Sequence, residues 1–198
     1  MKLILLLLFF PLVLSSQQTK DKFIGDVTVQ WLNDGRSMKL KHEFSYIDPD
    51  GRLWKVPKNT VVDGESIPQA FWTIVGGPYE GKYRNASVVH DYYCDKKVER
   101  WEDVHLMFYH ACLTGGTSIT KAKIMYAAVY AGGPRWDTTI IKNGKEKIIT
   151  TSTANTTTNE MKTITDWIES TNPSLEEINA RLDAVVIETE KHQMQIAN

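Results

Sequence analysis

The chain has 198 residues with 23 basic and 24 acidic side chains, a formal net charge of −1, and 42% hydrophobic residues. That balance, with no long basic stripe, excludes a nucleic-acid partner, because phosphate binding needs clustered Lys and Arg. The six Trp, eight Tyr and six Phe supply aromatic mass for one packed domain plus a tail.

The first residues, MKLILLLLFFPLVLSSQQ, combine a basic start, an apolar run and small residues near a cut. Such a run, about 7 to 15 residues long, describes a secretory leader, whereas a membrane span needs about 20. Residues 1–18 are therefore set apart from the fold, and a secreted or periplasmic location is expected. From Ile24 to Thr60 the chain reads as strands: VTVQWL, then N-D-G-R, MKLKHEFSYI, then D-P-D-G, and RLWKVP. Met38, Leu40, His42, Phe44 and Tyr46 alternate with period two, and the turn residues between runs are hairpin signals, so a three-stranded antiparallel meander is predicted.

After VPKNTVVDGESIP and the Gly-rich TIVGGPYEGKYRN, helical spacing takes over. Val88, Val89, Tyr92 and Tyr93 predict a helix over about Asn85–Asp95, and ERWEDVHLMFYHACL predicts a second that begins near Arg100 and stops at Gly115-Gly116. Thr117–Thr120 caps a third, KAKIMYAAVYA, ended by Gly132, Gly133 and Pro134. The family domain is placed at 19–137. Residues 138–159 are read as a hairpin about Asn143-Gly144 and a Thr-rich linker, and 160–198 as a helical tail. In that tail Ser174 and Glu177 form a capping box ahead of Leu175, Ile178, Leu182 and Val185. Its acidic polar face favours packing on the domain or self-association over membrane contact. Cys94 and Cys112 are the only cysteines. With a turn near Lys97 they lie at different levels, whereas a bridge needs Cα atoms within about 7 Å, so two unpaired thiols are expected.

The residues with chemical potential sit on the first two helices. With the helix limits above, His90 and Asp103 lie within about 3 to 4 Å of the same axial level across the hairpin. A carboxylate that fixes the tautomer of an imidazole makes that imidazole a general base, so His90 and Asp103 are the expected catalytic dyad. Asp91 projects about 100° away, toward the Asp63-Gly64-Glu65-Ser66-Ile67-Pro68 loop. A carboxylate facing Gly-rich backbone with carbonyls turned inward suits a hard cation, which makes calcium the expected ion and Asp91 with Asp63 its expected ligands. Gly64, Ser66 and Pro68, with Tyr92 and Arg100 beside the acids, are expected to support the site. Taken singly, each of these ionisable residues is more often a solvated or paired structural group. His42, His105 and His110 are assigned structural roles, with His105 facing elsewhere. A transition-metal site would want a further His or Cys at ligand spacing, and none stands out.

The ordered segments VPKNTVVDGESIP, YRNASVVHDYYC, ERWEDVHLMFYHACL and YAAVYAGGPRW resemble an uncharacterised family of bacteria and their phages. The shared features are a V-P-x-x-x-x-x-D-G-x-S-x-P loop, an H-D-Y helix start, an R-x-x-D helix and a closing G-x-x-x-W, over about Lys55–Trp136. More distantly, the helix pair resembles that of secreted calcium-dependent phospholipases of the A type, which cleave the sn-2 ester. That likeness implies His90 as base, Asp91 as calcium ligand and Asp103 as the orienting acid, with the Asp63-Gly64 loop near the metal.

The expected fold is α+β: an N-terminal antiparallel β-meander packed on a three-helix core that contains the His-Asp hairpin, plus a C-terminal amphipathic helix. The expected function is a secreted hydrolase acting on a lipid ester or another envelope component, assisted by calcium. The alternative is a non-catalytic exported or phage-derived structural or interaction protein, in which the His and Asp residues form a satisfied polar network. Burial of His90 favours the alternative, and a solvent-reachable cleft beside it favours the enzyme.

Overall fold

The structure, a computed structural model, describes residues 20–64, 66–141, 145–151 and 156–184, with the backbone alone over 138–141 and 145–151. The expected leader, Glu65 and Val185 lie outside the described residues. Among the described residues no helix is long and apolar enough to cross a membrane.

Six short strands form two three-stranded antiparallel sheets. One contains β1 (Lys22–Ile24), β4 (Phe44–Ile47) and β5 (Leu53–Val56) in the order β1-β4-β5, and the other β2 (Val29–Trp31), β3 (Met38–Leu40) and β6 (Val61–Val62) in the order β2-β3-β6. The predicted turns are present. Asp34 accepts from the amides of Arg36 and Ser37 at 3.0 and 2.8 Å, and Asp48 from those of Asp50 and Arg52 at 3.0 and 2.8 Å.

The single meander is corrected. The run expected as one central strand divides at Lys41-His42-Glu43, sending β3 to one sheet and β4 to the other. These three consecutive polar residues are all exposed and place nothing in the core, so the ladder breaks where burial no longer rewards it. Met38, Leu40, Phe44 and Tyr46 are buried as the alternation predicts, and His42 is exposed at the bend.

A 3₁₀ turn (Gln69–Phe71), the short α1 (Trp72–Val75) and a second 3₁₀ turn (Gly81–Tyr83) lead into α2 (Arg84–Lys96), α3 (Trp101–Thr114) and α4 (Ile119–Gly132). Helix α2 ends on Lys97 in the left-handed region, its amide bonded to the Tyr93 carbonyl at 2.9 Å. Helix α3 stops at the expected glycines. Gly116, at φ +86°, donates to Leu113 at 2.8 Å, and Thr117 donates to Cys112 at 3.0 Å, the paired bonds of a Schellman motif. Ser118 caps α4 by accepting from the Lys121 amide at 3.4 Å. From Ala122 to Ala131 every residue of α4 is buried, as expected of a helix apolar on nearly all sides at the centre of a fold, and the one charged group there, Lys123, donates to Asn172 at 2.7 Å.

Helix α3 packs on both α2 and α4, while α2 also meets β5 and β6. The core is continuous from Phe44, Trp54 and Val56 of the sheets through Val88, Val89 and Phe108 to α4. Both cysteines are unpaired and buried.

Beyond α4, β7 (Arg135–Ile141) and β8 (Lys145–Thr151) pair antiparallel, and the turn expected at Asn143-Gly144 lies outside the described residues. The Thr-rich stretch conceals a helix start. Thr157 and Glu160 form a capping box, with bonds of 2.7 and 3.2 Å, that opens α5 (Thr158–Thr171). Met161, Ile164 and Ile168 of α5 are buried, and the helix packs on α4. The predicted Ser174–Glu177 box is present and starts α6 (175–184). Its Ile178 and Leu182 are buried, while Tyr126 and Tyr130 of α4 donate to Asn179 and Asp183 at 2.8 and 3.1 Å.

Candidate functional site

His90 and Asp91 leave α2 in different directions, and each organises its own neighbourhood. Asp91 faces the loop that follows β6. Its Oδ2 accepts from the Asp63 amide at 2.8 Å, the Gly64 amide at 3.0 Å and the Tyr79 hydroxyl at 3.1 Å, while Oδ1 accepts from the Ser66 amide at 3.3 Å. The loop turns N–H groups toward the carboxylate. This reverses the arrangement expected for calcium, which requires oxygen atoms to converge. Burial first, and then the Asp91 charge, pushes the Tyr79 phenol far above its ordinary value, so it remains a donor.

The loop sequence suits this clamp. Gly64 sits at φ +76°, and a Cβ there would lie 2.3 Å from the Pro78 Cγ, so both conformation and space call for glycine. Pro68 caps the first 3₁₀ turn and lies against Gly132 at the end of α4, where a Cβ would come within 2.8 Å of its Cγ. The last glycine-rich turn of α4 thus lets the helix approach the loop closely.

His90 is fully buried, and both of its ring nitrogens are engaged: Nδ1 lies 3.0 Å from the Ser66 Oγ and Nε2 lies 2.8 Å from the Nδ1 of His105. The thiol of Cys94, one turn further along α2, is 3.6 Å from His90 Nε2. His105 is fully buried as well, and among the described residues its Nε2 has no hydrogen-bond partner. Burial lowers the His90 pKa to about 3. Burial also holds His105 well below the ordinary imidazole value, helped by His90 and Arg135 and opposed by the Pro134 backbone. Both imidazoles are neutral at physiological pH.

Asp103 is not a hydrogen-bond partner of His90, whose polar contacts among the described residues are Ser66, His105 and Cys94. Residues 97–100 are not helical and consume length between α2 and α3. Counting from the helix ends at 1.5 Å per residue, His90 and His105 differ by about 3 Å in level, and His90 and Asp103 by about 6 Å. His105, expected to face elsewhere, is therefore the residue that meets His90. Asp103 lies half-buried in the first turn of α3, where its charge acts on Arg52 and Arg100. Arg100 is exposed and pairs with Glu102 at 3.3 Å. Tyr92 packs edge-on against Tyr93 with Lys96 over its ring, away from the clamp. Asp63 presents its amide to Asp91 and its carbonyl to the Arg36 side chain at 2.9 Å.

A cleft of about 520 Å³ adjoins this cluster, lined in part by Asp63, Ser66, Asp91, Cys94 and Pro134. His90 meets two of those residues, Ser66 and Cys94, from the buried side. The closing Trp136 is buried and donates through Nε1 to the Glu99 carbonyl at 2.7 Å, which pins the α2–α3 turn.

Residues 38–129, from β3 almost to the end of α4, match the model of a family described as "Protein of unknown function (DUF1353)". The core of the chain is similar to DUF1353. Two curated relatives are uncharacterised proteins of Sinorhizobium fredii. The protein y4jT is 50% identical over 98 residues, covering 50% of this chain and 29% of the relative. The protein y4iH is 44% identical over 123 residues, covering 61% of this chain and 52% of the relative. The chain thus spans about a third to a half of the length of the relatives it matches. No solved structure matches it. The DUF1353-like segment contains the loop clamp, His90, Cys94 and His105, whereas Trp136 and helices α5 and α6 follow it.

Proposed function

We propose that the DUF1353-like segment is a non-catalytic interaction or structural module, exported through its leader, whose D-G-x-S-x-P loop is held rigid on α2. The observation that carries this reading is the complete burial of His90 with both ring nitrogens occupied. A general base needs to reach water or substrate and to hold a pKa near the working pH, and burial takes His90 to about 3. Asp91 is likewise saturated by donors from the loop. A buried carboxylate satisfied in this way rigidifies the loop it holds.

A second reading, a hydrolase acting on a lipid ester, draws support from the cleft beside Ser66. The succession Ser66 Oγ, His90, His105 has the order of nucleophile, base and orienting group. The two readings separate in one assay, using chromogenic esters and phospholipid vesicles with and without calcium. The module reading predicts that wild type and Ser66→Ala give the same background rate. Wild-type hydrolysis that is lost in a folded Ser66→Ala variant overturns it, and dependence on calcium would extend the hydrolase reading to the metal.

A further inference from the structure

We propose that His90, Cys94 and His105 form a binding site for one zinc-class divalent ion between α2 and α3. This goes beyond the module reading and holds whether or not the domain is catalytic. One ligand atom from each residue lies within 4.8 Å of the others, and all three residues are buried. Two come from α2 at a spacing of one turn, which places them on one face, and the third comes from α3. An imidazole pair with a thiolate is the donor set of a borderline-soft ion and not of calcium or magnesium.

The distances fit. With Zn–N of about 2.0–2.1 Å and Zn–S of about 2.3 Å, tetrahedral ligation separates two nitrogens by about 3.3 Å and a nitrogen from a sulfur by about 3.6 Å. His90 Nε2 and the Cys94 Sγ are 3.6 Å apart. The two ring nitrogens, at 2.8 Å, would need to separate by about 0.5 Å.

The outward side of the His90 ring is also prepared. A metal on His90 Nε2 leaves Nδ1–H to donate to the Ser66 Oγ, now at 3.0 Å. A metal on His105 Nδ1 places a proton on Nε2, a buried atom with no hydrogen-bond partner among the described residues, and the Pro134 backbone acts on this ring in favour of its protonated form. Ligating histidines use such outer contacts to fix their tautomer. Each imidazole keeps one proton through this change. The only proton released is that of the Cys94 thiol, replaced by the metal–sulfur bond. Cys94 and Pro134 line the adjoining cleft, which gives water a route toward a fourth position.

The test is titration of chelator-treated full-length protein with Co²⁺ and then Zn²⁺. Expected are one Co²⁺ per chain with a near-ultraviolet thiolate charge-transfer band, its displacement by one Zn²⁺, and a rise in thermal midpoint with Zn²⁺. Cys94→Ser removes the band, and His105→Gln weakens binding at least about tenfold. X-ray absorption on zinc-loaded wild type needs no variant, and one sulfur with two imidazole nitrogens in its shell is expected. Absence of binding at excess metal, or a shell of nitrogen and oxygen alone, overturns the proposal. Neither result bears on ester hydrolysis, which the Ser66→Ala comparison reads separately.

Discussion

Replacing Asp91 by Asn keeps shape and volume but removes the charge that holds the loop. An Asn oriented with its oxygen at the Oδ2 position retains the Asp63, Gly64 and Tyr79 donors at 2.8, 3.0 and 3.1 Å. Its amide group then faces the Ser66 amide, donor against donor, across what was a 3.3 Å bond. Hydrogen bonds to a charged group contribute about 1.5–3 kcal/mol and neutral ones about 0.5–1.5, so three weakened bonds cost roughly 3 kcal/mol and the lost fourth adds about 1. Donors that share one oxygen are not additive, and water entering from the neighbouring cleft replaces part of the loss. The expected destabilisation is therefore about 2–4 kcal/mol. At a urea slope of ~2 kcal/mol/M, the unfolding midpoint falls by about 1–2 M. Tryptophan fluorescence in urea reads the midpoint, and hydrogen exchange reads the amides of Asp63, Gly64 and Ser66, which lose protection together. Tyr79→Phe removes one donor and costs about 1 kcal/mol, and its effect shrinks in the Asp91→Asn background. A variant whose midpoint stays at the wild-type value, with the loop amides still protected, refutes the clamp.

Gly64→Ala combines a positive φ with a Cβ 2.3 Å from Pro78, so it lowers the thermal midpoint more than Asp91→Asn does, or prevents folding. Asp103→Asn costs only about 0.3–1 kcal/mol, the helix-terminus contribution, and leaves the imidazole NMR signals of His90 unmoved, whereas a shift of those signals would restore the His90–Asp103 pairing. Trp136→Phe keeps most of the buried ring but strands the Glu99 carbonyl, and a loss of about 1–2 kcal/mol in urea unfolding is expected. Burial is the main force that lowers the pKa of His110, opposed by Asp48, Asp50 and Asp21. The unfolded chain therefore binds the proton more readily, so the stability from neutral His110 is present above the unfolded value and is lost as pH falls below it. His110→Gln accordingly gives a shallower fall of thermal midpoint between pH 7 and pH 5 (about the range spanning an unperturbed histidine), and an unchanged slope counts against this.

The local signals in the chain were legible because each is a short-range matter of backbone chemistry. The turns at Asp34 and Asp48, the Gly115-Gly116 stop and the Ser174–Glu177 box all form as their residues require. Asp91 facing the loop followed from its angular distance to His90. The residue opposite His90 depended instead on how many residues the connection between α2 and α3 consumes. A shift of one or two residues in that count decides between Asp103 and His105, and periodicity does not fix it. The direction of the loop's peptide groups was equally hidden: a Gly-rich loop presents carbonyls or amides, and only the folded backbone at φ +76° for Gly64 selects amides. The start of α5 was concealed by composition. Threonines that suggest a linker include Thr157, whose hydroxyl caps the helix.

The Trp136 contact has a consequence for where this protein can be cut. The segment shared with DUF1353 ends at residue 129, yet the indole that fastens the α2–α3 turn and the helices that cover α4 come after it. A chain truncated at that boundary would lose Tyr130 and leave Tyr126 without its Asn179 acceptor and the Glu99 carbonyl without its donor. The stretch that the family model matches is therefore shorter than the stretch that packs around α4, and a boundary set at residue 129 would cut through the central helix itself.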